Sequence, residues 1–219
     1  VMSGTILKSV EMQGAKTSGM MNERDMGEKL EDRGEKLEIL LEQHMQWVSS
    51  AGKKGAQMDL SGINLRNIPN LKKIPMTAMK AIKANFMGQD LSGASLQSTT
   101  LTQSSFRDCK LIEADMRGSS MQKTNFNHAD LSDAKMSGLQ FDSPDGSGLR
   151  IQRTNLSSAT FRYANLSGCD LRHSILMGCD FTGAKLDDCD LRKADLTGAI
   201  FENANIEKAR TDKQNAVKE

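Results

Sequence analysis

Four cysteines and three histidines are the residues of this chain best equipped for chemistry, because thiolates and imidazoles act as nucleophiles, bases and metal ligands. The cysteines are Cys109, Cys169, Cys179 and Cys189. A zinc site requires its ligands to converge on one point, and a nucleophilic cysteine requires an accessible thiolate. Whether these thiols meet either condition depends on the element that holds them.

The histidines suggest no catalytic arrangement. His44, His128 and His173 lie far apart in the chain, and no combination of Ser, His and Asp is indicated. The glycines do not form a phosphate-binding loop. The sequence therefore predicts no catalytic, cofactor-binding or metal-binding residue, and we expect neither an enzyme nor a bound cofactor.

A five-residue repeat places these side chains. Between residues 84 and 208 a large apolar residue recurs at every fifth position, usually with a small residue two places before it. The large residues are Phe86, Leu91, Leu96, Leu101, Phe106, Leu111, Met116, Met121, Phe126, Leu131, Met136 and Phe141, followed after a gap by Ile151, Leu156, Phe161, Leu166, Leu171, Leu176, Phe181, Leu186, Leu191, Leu196, Phe201 and Ile206. All four cysteines occupy the small position.

A period of five matches neither the helical period of 3.6 nor the strand period of 2. It suits a chain that turns a corner after each short extended piece, with one small and one large residue facing inward and three residues facing outward. One such turn cannot bury its own apolar residues, but stacked turns can. The repeat therefore predicts a solenoid.

The pattern also resembles a known family. The segment YANLSGCDLRHSILMGCDFTGAKLDDCDLRKADLTGAIFENANI is similar to the pentapeptide-repeat proteins. The resemblance implies an all-β solenoid, namely a right-handed quadrilateral β-helix with four blocks per coil, here with an N-terminal α-helical segment.

Four blocks per coil would stack residues that are twenty apart. Phenylalanines then form two ladders, one of Phe86, Phe106 and Phe126 and one of Phe141, Phe161, Phe181 and Phe201. Cys169 and Cys189 also stack, but their parallel side chains disfavour a disulfide, and Cys179 falls on the opposite face. We expect free, buried thiols and a reducing cytoplasm.

The N-terminal region divides into a loose or disordered segment, residues 1–21, and a capping helix with a turn, residues 22–58. Leucines at helical spacing, followed by Trp47, form an apolar stripe that could cover the first coil. His44 and Trp47 match a His-x-x-Trp element of bacterial members of the family, and this resemblance implies a structural role for them. Alternatively, the segment DRGEKLEILLE resembles a vesicle-type SNARE helix with Arg33 at its central position, which makes Arg33 and Trp47 possible partner contacts.

Three further segments interrupt or end the repeat. Residues 59–83 read as a first coil with a basic helical insert, in which Thr77 caps a short helix over 77–85. The lysines of this insert, Lys72, Lys73, Lys80 and Lys83, form either a solvated face or a partner contact. Within the β-helix of residues 84–208, the loop 142–150 carries Pro144 and Asp145, a possible contact that we expect to leave the register unchanged. The tail 209–219 ends the rod as a short helical cap or a dimer contact.

Composition limits the function. The chain has a formal net charge of +1, no apolar run long enough to span a membrane and no apolar signal sequence at its start. We expect a cytoplasmic protein, or one delivered by a secretion system that does not read a signal peptide, and a non-enzymatic module that binds an unknown protein partner. A homodimer through a coil end is possible, and nucleic-acid binding is not expected.

The alternative function is DNA mimicry that inhibits or protects a type II topoisomerase. Sixteen acidic residues against thirteen Lys and Arg between positions 89 and 208 disfavour it.

Overall fold

A computed structural model describes residues 27–69, 71–143 and 145–212, together with the backbone of residues 6–7 and 21–22. Its named elements are β1 (Ile6–Leu7), β2 (Met21–Asn22), a 3-10 helix (Leu30–Arg33), α1 (Leu37–Ser49), β3 (Leu139–Asp142) and β4 (Leu149–Gln152). β1 pairs with β2 in parallel, and β3 pairs with β4 in antiparallel orientation.

The repeat region forms a stacked β-helix solenoid. From Pro75 onward, each coil pairs with the next through four parallel bridges, for example Asp90 with Lys110 and Ser95 with Asp115. Every bridge involves a single residue, because a two-residue turn separates it from the next bridge. The backbone polar groups of one coil are therefore satisfied largely by its neighbours.

Local chemistry explains the corners. The second turn residue has a positive φ whether it is a glycine, such as Gly93 at 66°, or a larger residue, such as Tyr163 at 58°. This geometry is that of a type II turn. Where Asp or Asn precedes the large residue, its carboxylate or amide oxygen accepts the N–H two residues later, as from Arg172 to Asp170 (3.1 Å). The polar residue demanded by the repeat is thus a turn former.

The core consists of the large and small inward residues, nearly all of which are buried. Six phenylalanines stack in one ladder with ring centroids 4.5–5.3 Å apart, namely Phe86, Phe106, Phe126, Phe161, Phe181 and Phe201. The prediction of two ladders is wrong for Phe141, which lies outside the core with 42% of its surface exposed.

The cause is a change of register between residues 138 and 154. Ser120 bridges to Asn155 and Asn125 to Thr160, so the spacing across this segment is 35 residues, whereas neighbouring coils are 20 apart. The fifteen additional residues equal three blocks, so the five-residue phase continues after them. The residues that follow, however, stack on a different side of the coil from the one that a 20-residue spacing predicts. The expectation that the loop leaves the register unchanged is therefore wrong.

The inserted residues form a hairpin of β3 and β4. This hairpin begins before the predicted loop 142–150 and ends after it, and only its turn, between Asp142 and Leu149, is a loop. β3 and β4 pair Phe141 with Arg150, and the turn closes with the Ser143 N–H donating to the Gly148 carbonyl oxygen (2.8 Å). Phe141 and Ile151 leave the core because the hairpin projects from the rod, and both are about two-fifths exposed.

The predicted helix over residues 77–85 is wrong, because this segment is part of a coil. Lys80 bridges to Thr100 and Asn85 to Ser105 in the ordinary register. Met79 fills the position of a small residue and Ala81 that of a large one, and both are fully buried. This exchange conceals the repeat in the sequence. The preceding bridge, Asp59 with Lys80, spans 21 residues and accounts for the change of phase.

The N-terminal helix is shorter than the predicted helical segment. Asn22 lies in β2, and Glu28 bridges in parallel to Ile63 of the first coil. The 3-10 helix ends at Arg33 and is capped by Gly34, which has a left-handed φ of 71°, before α1 begins at Leu37. Apart from β1 and Met21, the segment 1–21 lies outside the described residues. At the other end Arg210 still bridges to Asp190, and residues 213–219 of the predicted tail lie outside the described part.

Candidate interaction surfaces

All four cysteines are buried and free. Three of the thiols donate to carbonyl oxygens of an adjacent coil, Cys109 to Phe86 (2.9 Å), Cys169 to Leu131 (2.9 Å) and Cys179 to Leu156 (3.0 Å). Burial raises the pKa of the Cys109 and Cys179 thiols to about 12. Thiols in this state are poor nucleophiles, because the thiolate is the reactive form.

We expect the four cysteines to resist a bulky thiol reagent in the native protein and to react after denaturation. Solvent cannot reach the sulfur atoms, and their raised pKa suppresses the thiolate. The measurement is the number of labelled sites by mass spectrometry with and without denaturant. Rapid labelling of two or more sites in the folded protein would show that the small position does not face inward.

His44 joins α1 to the first coil. The Met58 N–H donates to Nδ1 of His44 (3.1 Å), so the proton of the neutral ring is on Nε2, which donates to the Thr77 carbonyl oxygen (2.8 Å). The ring is almost fully buried and lies 5.9 Å from the half-buried ring of Trp47, nearly parallel to it. Burial lowers the pKa of His44 despite the opposing effect of the Thr77 hydrogen bond.

The lowered pKa predicts a pH-dependent stability. Above about pH 6.5, the ordinary value for histidine, the ring is neutral in both folded and unfolded chains, and its contribution is complete. As the pH falls below that value, the unfolded chain binds the proton first, so stability decreases until the folded-state pKa is reached. The melting temperature of the native protein should decrease between pH 7 and pH 5, and the decrease should be much smaller in His44→Gln.

Aspartates titrate in a different window. The pKa values of Asp90, Asp115, Asp170 and Asp190 are lowered, so their stabilising contributions persist above about pH 4 and are lost only in stronger acid. An equal loss of stability between pH 7 and pH 5 in native protein and His44→Gln would contradict the role of His44.

The apolar residues of the N-terminal helix that a partner helix would contact in the SNARE-like alternative form a seam, and this seam faces the rod. Leu30 and Leu37 are buried in the common core, and Leu40 and Leu41 pack partly against it. Arg33 donates from Nη2 to the Ser61 carbonyl oxygen (2.8 Å) and from Nε to the Glu28 carboxylate (2.9 Å). A partner helix could use this seam only after α1 leaves the first coil. The outward surface of α1 instead exposes Ile39, Met45 and Val48.

The four predicted lysines do not form one patch. Lys72 lies 3.6 Å from the Asp90 carboxylate. Lys73 and Lys83 occupy turn positions with φ near 57° and are two corners apart on the coil, and Lys80 lies at a bridge between them. All four side chains are exposed, but they point from different parts of the coil.

The hairpin carries the other predicted contact. Pro144 lies outside the described residues. Asp145 is exposed and accepts hydrogen bonds from Ser143 and Ser147, which lower its pKa to about 2. The sequence did not indicate that three large apolar residues are exposed beside it, namely Phe141, Leu149 and Ile151, of which Leu149 is 70% exposed. Only the register change moves two of them out of the core.

One side of the solenoid carries a row of Asp–Arg pairs that sequence reasoning also missed. In each pair the arginine follows the aspartate by two residues and contacts its carboxylate at 2.5–2.8 Å. The pairs are Asp115 with Arg117, Asp170 with Arg172, and Asp190 with Arg192. The repeated motif is Asp-Leu-Arg or Asp-Met-Arg, and its charges alternate along the surface.

In the described part of the chain, no group of three or more His, Cys, Asp or Glu side chains is placed to hold a metal ion. No helix within the described residues has the length and apolar character needed to cross a membrane.

Solved structures of other repeat proteins are similar to this chain. HetL, a pentapeptide repeat protein of heterocyst differentiation regulation from the cyanobacterium Nostoc sp. strain PCC 7120, is 21% identical, and the match covers 64% of this chain and 90% of HetL with a TM-score of 0.22. A pentapeptide repeat protein of the Arabidopsis thaliana thylakoid lumen is 21% identical, with coverages of 57% and 63% and a TM-score of 0.28. Trypsin-treated QnrB1, a plasmid-mediated fluoroquinolone resistance protein, is 16% identical, with coverages of 67% and 86% and a TM-score of 0.28.

No curated protein matches the sequence. The family model of pentapeptide repeats matches eight copies over residues 76–108, 101–138, 147–176 and 174–210, which together make up more than half of the chain. Most of the matched residues stack in coils, apart from those of β4, and the gap between residues 138 and 147 falls in the hairpin. The chain therefore belongs to the pentapeptide repeat family.

Proposed function

We propose that this protein is a non-enzymatic protein–protein interaction module in which a rigid β-helix presents the β3–β4 hairpin to a protein partner. The observation that carries the proposal is the exposure of Phe141, Leu149 and Ile151 on a projecting insertion. The coils before and after the hairpin pair directly with each other, so the insertion is not needed for stacking. Exposed apolar residues on a dispensable projection are typical of a binding surface.

The finer features belong to the same proposal. The coil is right-handed and quadrilateral, in agreement with the strong preference of parallel crossovers for a right-handed path. The C-terminal end is a candidate homodimer contact, because Leu196, Phe201 and Ile206 of the last coil are only partly buried. We place the protein in the cytoplasm or among proteins delivered by a secretion system, with a partner still to be identified.

The absence of enzymatic activity is also a proposal. Its support is that the described thiols are buried and protonated and that both ring nitrogens of His44 are occupied by backbone groups. These are five of the seven groups that the sequence offered for chemistry, the other two being His128 and His173, and the surroundings of the five suit packing better than catalysis.

Deleting residues 139–153 tests the proposal without disturbing the solenoid. The deletion joins Gly138 to Thr154 and restores the spacing of 20 residues between Ser120 and its partner. The junction Met-Ser-Gly-Thr-Asn-Leu conforms to the repeat. We expect a melting temperature close to that of the native protein.

Photo-crosslinking then tests the contact. A photoreactive amino acid at Leu149 should give a specific adduct with a protein of the native host, and one at Met177, which is also exposed but lies on a coil and not on the hairpin, should not. The deletion variant should not compete with the full chain for that adduct. Equal adducts at both positions, or full competition by the deletion variant, would contradict a hairpin-centred interaction.

DNA mimicry is the weaker alternative. It requires a continuous negative field, but each Asp–Arg pair on the described surface places a cation next to its anion. Gyrase supercoiling in the presence of the protein decides between the two. We expect no inhibition and no protection from quinolone at micromolar protein.

A further inference from the structure

A notch lies at the base of the hairpin, on the side of the solenoid that carries the Asp–Arg pairs. It has a volume of about 290 Å³ and is lined by Arg117, Ser137, Gly138, Gln140, Asp170, Arg172 and His173. Ser137 lies in the coil between those of Arg117 and Arg172, because Lys135 bridges to Asp115 on one side and to Asp170 on the other. Its short side chain leaves an opening between the two arginines. The backbones of Arg117 and Arg172 are two coils apart, which corresponds to about 10 Å.

Both arginines retain hydrogen-bonding capacity toward this opening. Arg117 and Arg172 use Nε and Nη2 to bind the carboxylates of Asp115 and Asp170. Within the described residues, neither Nη1 has a hydrogen-bond partner. The aspartates hold the guanidinium groups in place and compensate their charge, so each arginine offers an oriented donor.

The outer edge of β3 forms another wall of the notch. The Ser143 N–H donates to Gly148, and hydrogen-bonded pairs alternate along an antiparallel ribbon, so Phe141 with Arg150 is the next such pair. The N–H and C=O of Gln140 and Asp142 therefore point away from β4. No hydrogen bond to these main-chain groups occurs in the described part of the chain, and Gln140 itself lines the notch.

The hairpin is held in this position by its base. The Gln152 side-chain amide donates to the Gly118 carbonyl oxygen, and the Thr154 hydroxyl donates to the Ser137 carbonyl oxygen (2.7 Å). A Cβ atom at Gly138 would lie 2.5 Å from Ile151, so only glycine allows the ribbon this close to the corner. An edge strand fixed in this way is ready to pair with another strand.

We propose that the β3 edge and the notch bind an extended peptide that has two consecutive acidic residues. The peptide would add a third strand to the hairpin. Successive side chains of a strand point to opposite faces, so one carboxylate would reach Arg117 in the preceding coil and the next would reach Arg172 in the following coil. Asp142 disfavours further acidic residues toward the hairpin tip. This inference rests on the proposed interaction function and identifies the kind of partner segment.

The test is fluorescence anisotropy with the full chain and a labelled peptide Val-Thr-Glu-Glu-Thr-Val, compared with Val-Thr-Lys-Lys-Thr-Val. We expect saturable binding of the acidic peptide and at least tenfold weaker binding of the basic one. Arg117→Gln and Arg172→Gln should each weaken binding about tenfold, as for the loss of a charge-assisted hydrogen bond. Arg192→Gln, on the same face but outside the notch, should change it less than about twofold.

Proline substitutions distinguish the two edges of the ribbon. Gln140→Pro removes an outward N–H of β3 and should abolish binding, whereas Arg153→Pro removes an N–H at the foot of β4, on the other edge of the ribbon, and should not. Melting curves check that each variant is folded. No saturable binding up to millimolar peptide, equal binding of the basic peptide, or equal effects of the two prolines would overturn the inference. The proposed function would still stand if the Leu149 crosslink were retained.

Discussion

Leu176→Asp is expected to abolish the folded solenoid. Leu176 is completely buried, and its N–H donates to the Asp195 carbonyl oxygen of the next coil (2.8 Å). A carboxylate at this position would be surrounded by apolar side chains with no partner, a cost of several kcal/mol. That cost is comparable to the total stability of a typical domain. The measurement is thermal unfolding by circular dichroism, together with size-exclusion chromatography.

Met177→Asp is the matched control, because Met177 is the adjacent residue, is also apolar and is 44% exposed. Its neighbours at the equivalent position of adjacent coils are Ser157 and Thr197, which carry no charge. The control should melt within a degree or two of the native protein. Similar melting of the two variants would disprove the assignment of inward and outward positions.

Deleting residues 1–50 should cause the second largest effect, aggregation or a loss of several degrees in melting temperature. The deletion removes Glu28, which bridges to Ile63, and Leu30 and Leu37, which pack in the common core. Met58, Leu60 and the edge of the first coil would become exposed to solvent. An uncovered strand edge with apolar neighbours promotes pairing between chains.

Two point substitutions test whether the destabilisation comes from loss of the helix face that covers the first coil, because they leave the length of the chain unchanged. Leu37→Glu should reproduce much of the destabilisation, because Leu37 faces the rod, whereas Ile39→Glu should have little effect, because Ile39 is 56% exposed. In the native protein the single tryptophan, Trp47, should show partly shielded emission. A stable, monomeric protein after deletion would indicate that α1 serves a partner and not the first coil.

The sequence by itself determined the features that repeat locally. The spacing of the large residues, such as Leu166, Leu171 and Leu176, identified the buried positions, because every block makes the same turn with the same two inward residues. The spacing of Phe86, Phe106 and Phe126 identified four blocks per coil, because like side chains stack at that interval. The burial of the four cysteines followed from the same positions.

Only the tertiary structure decided features that depend on which coils become neighbours. The insertion of fifteen residues is three times the repeat length, so Phe141 and Ile151 still fall at the large-residue position of the sequence pattern. They lie outside the core because the coils on either side of the insertion pair directly with each other. Met79 fills a small position and Ala81 the neighbouring large position, and both are buried in the same coil. A search for a large residue at every fifth position does not detect this pair. Arg117 and Arg172 are 55 residues apart and meet at one notch because stacking, a long-range contact, places Ser137 between them.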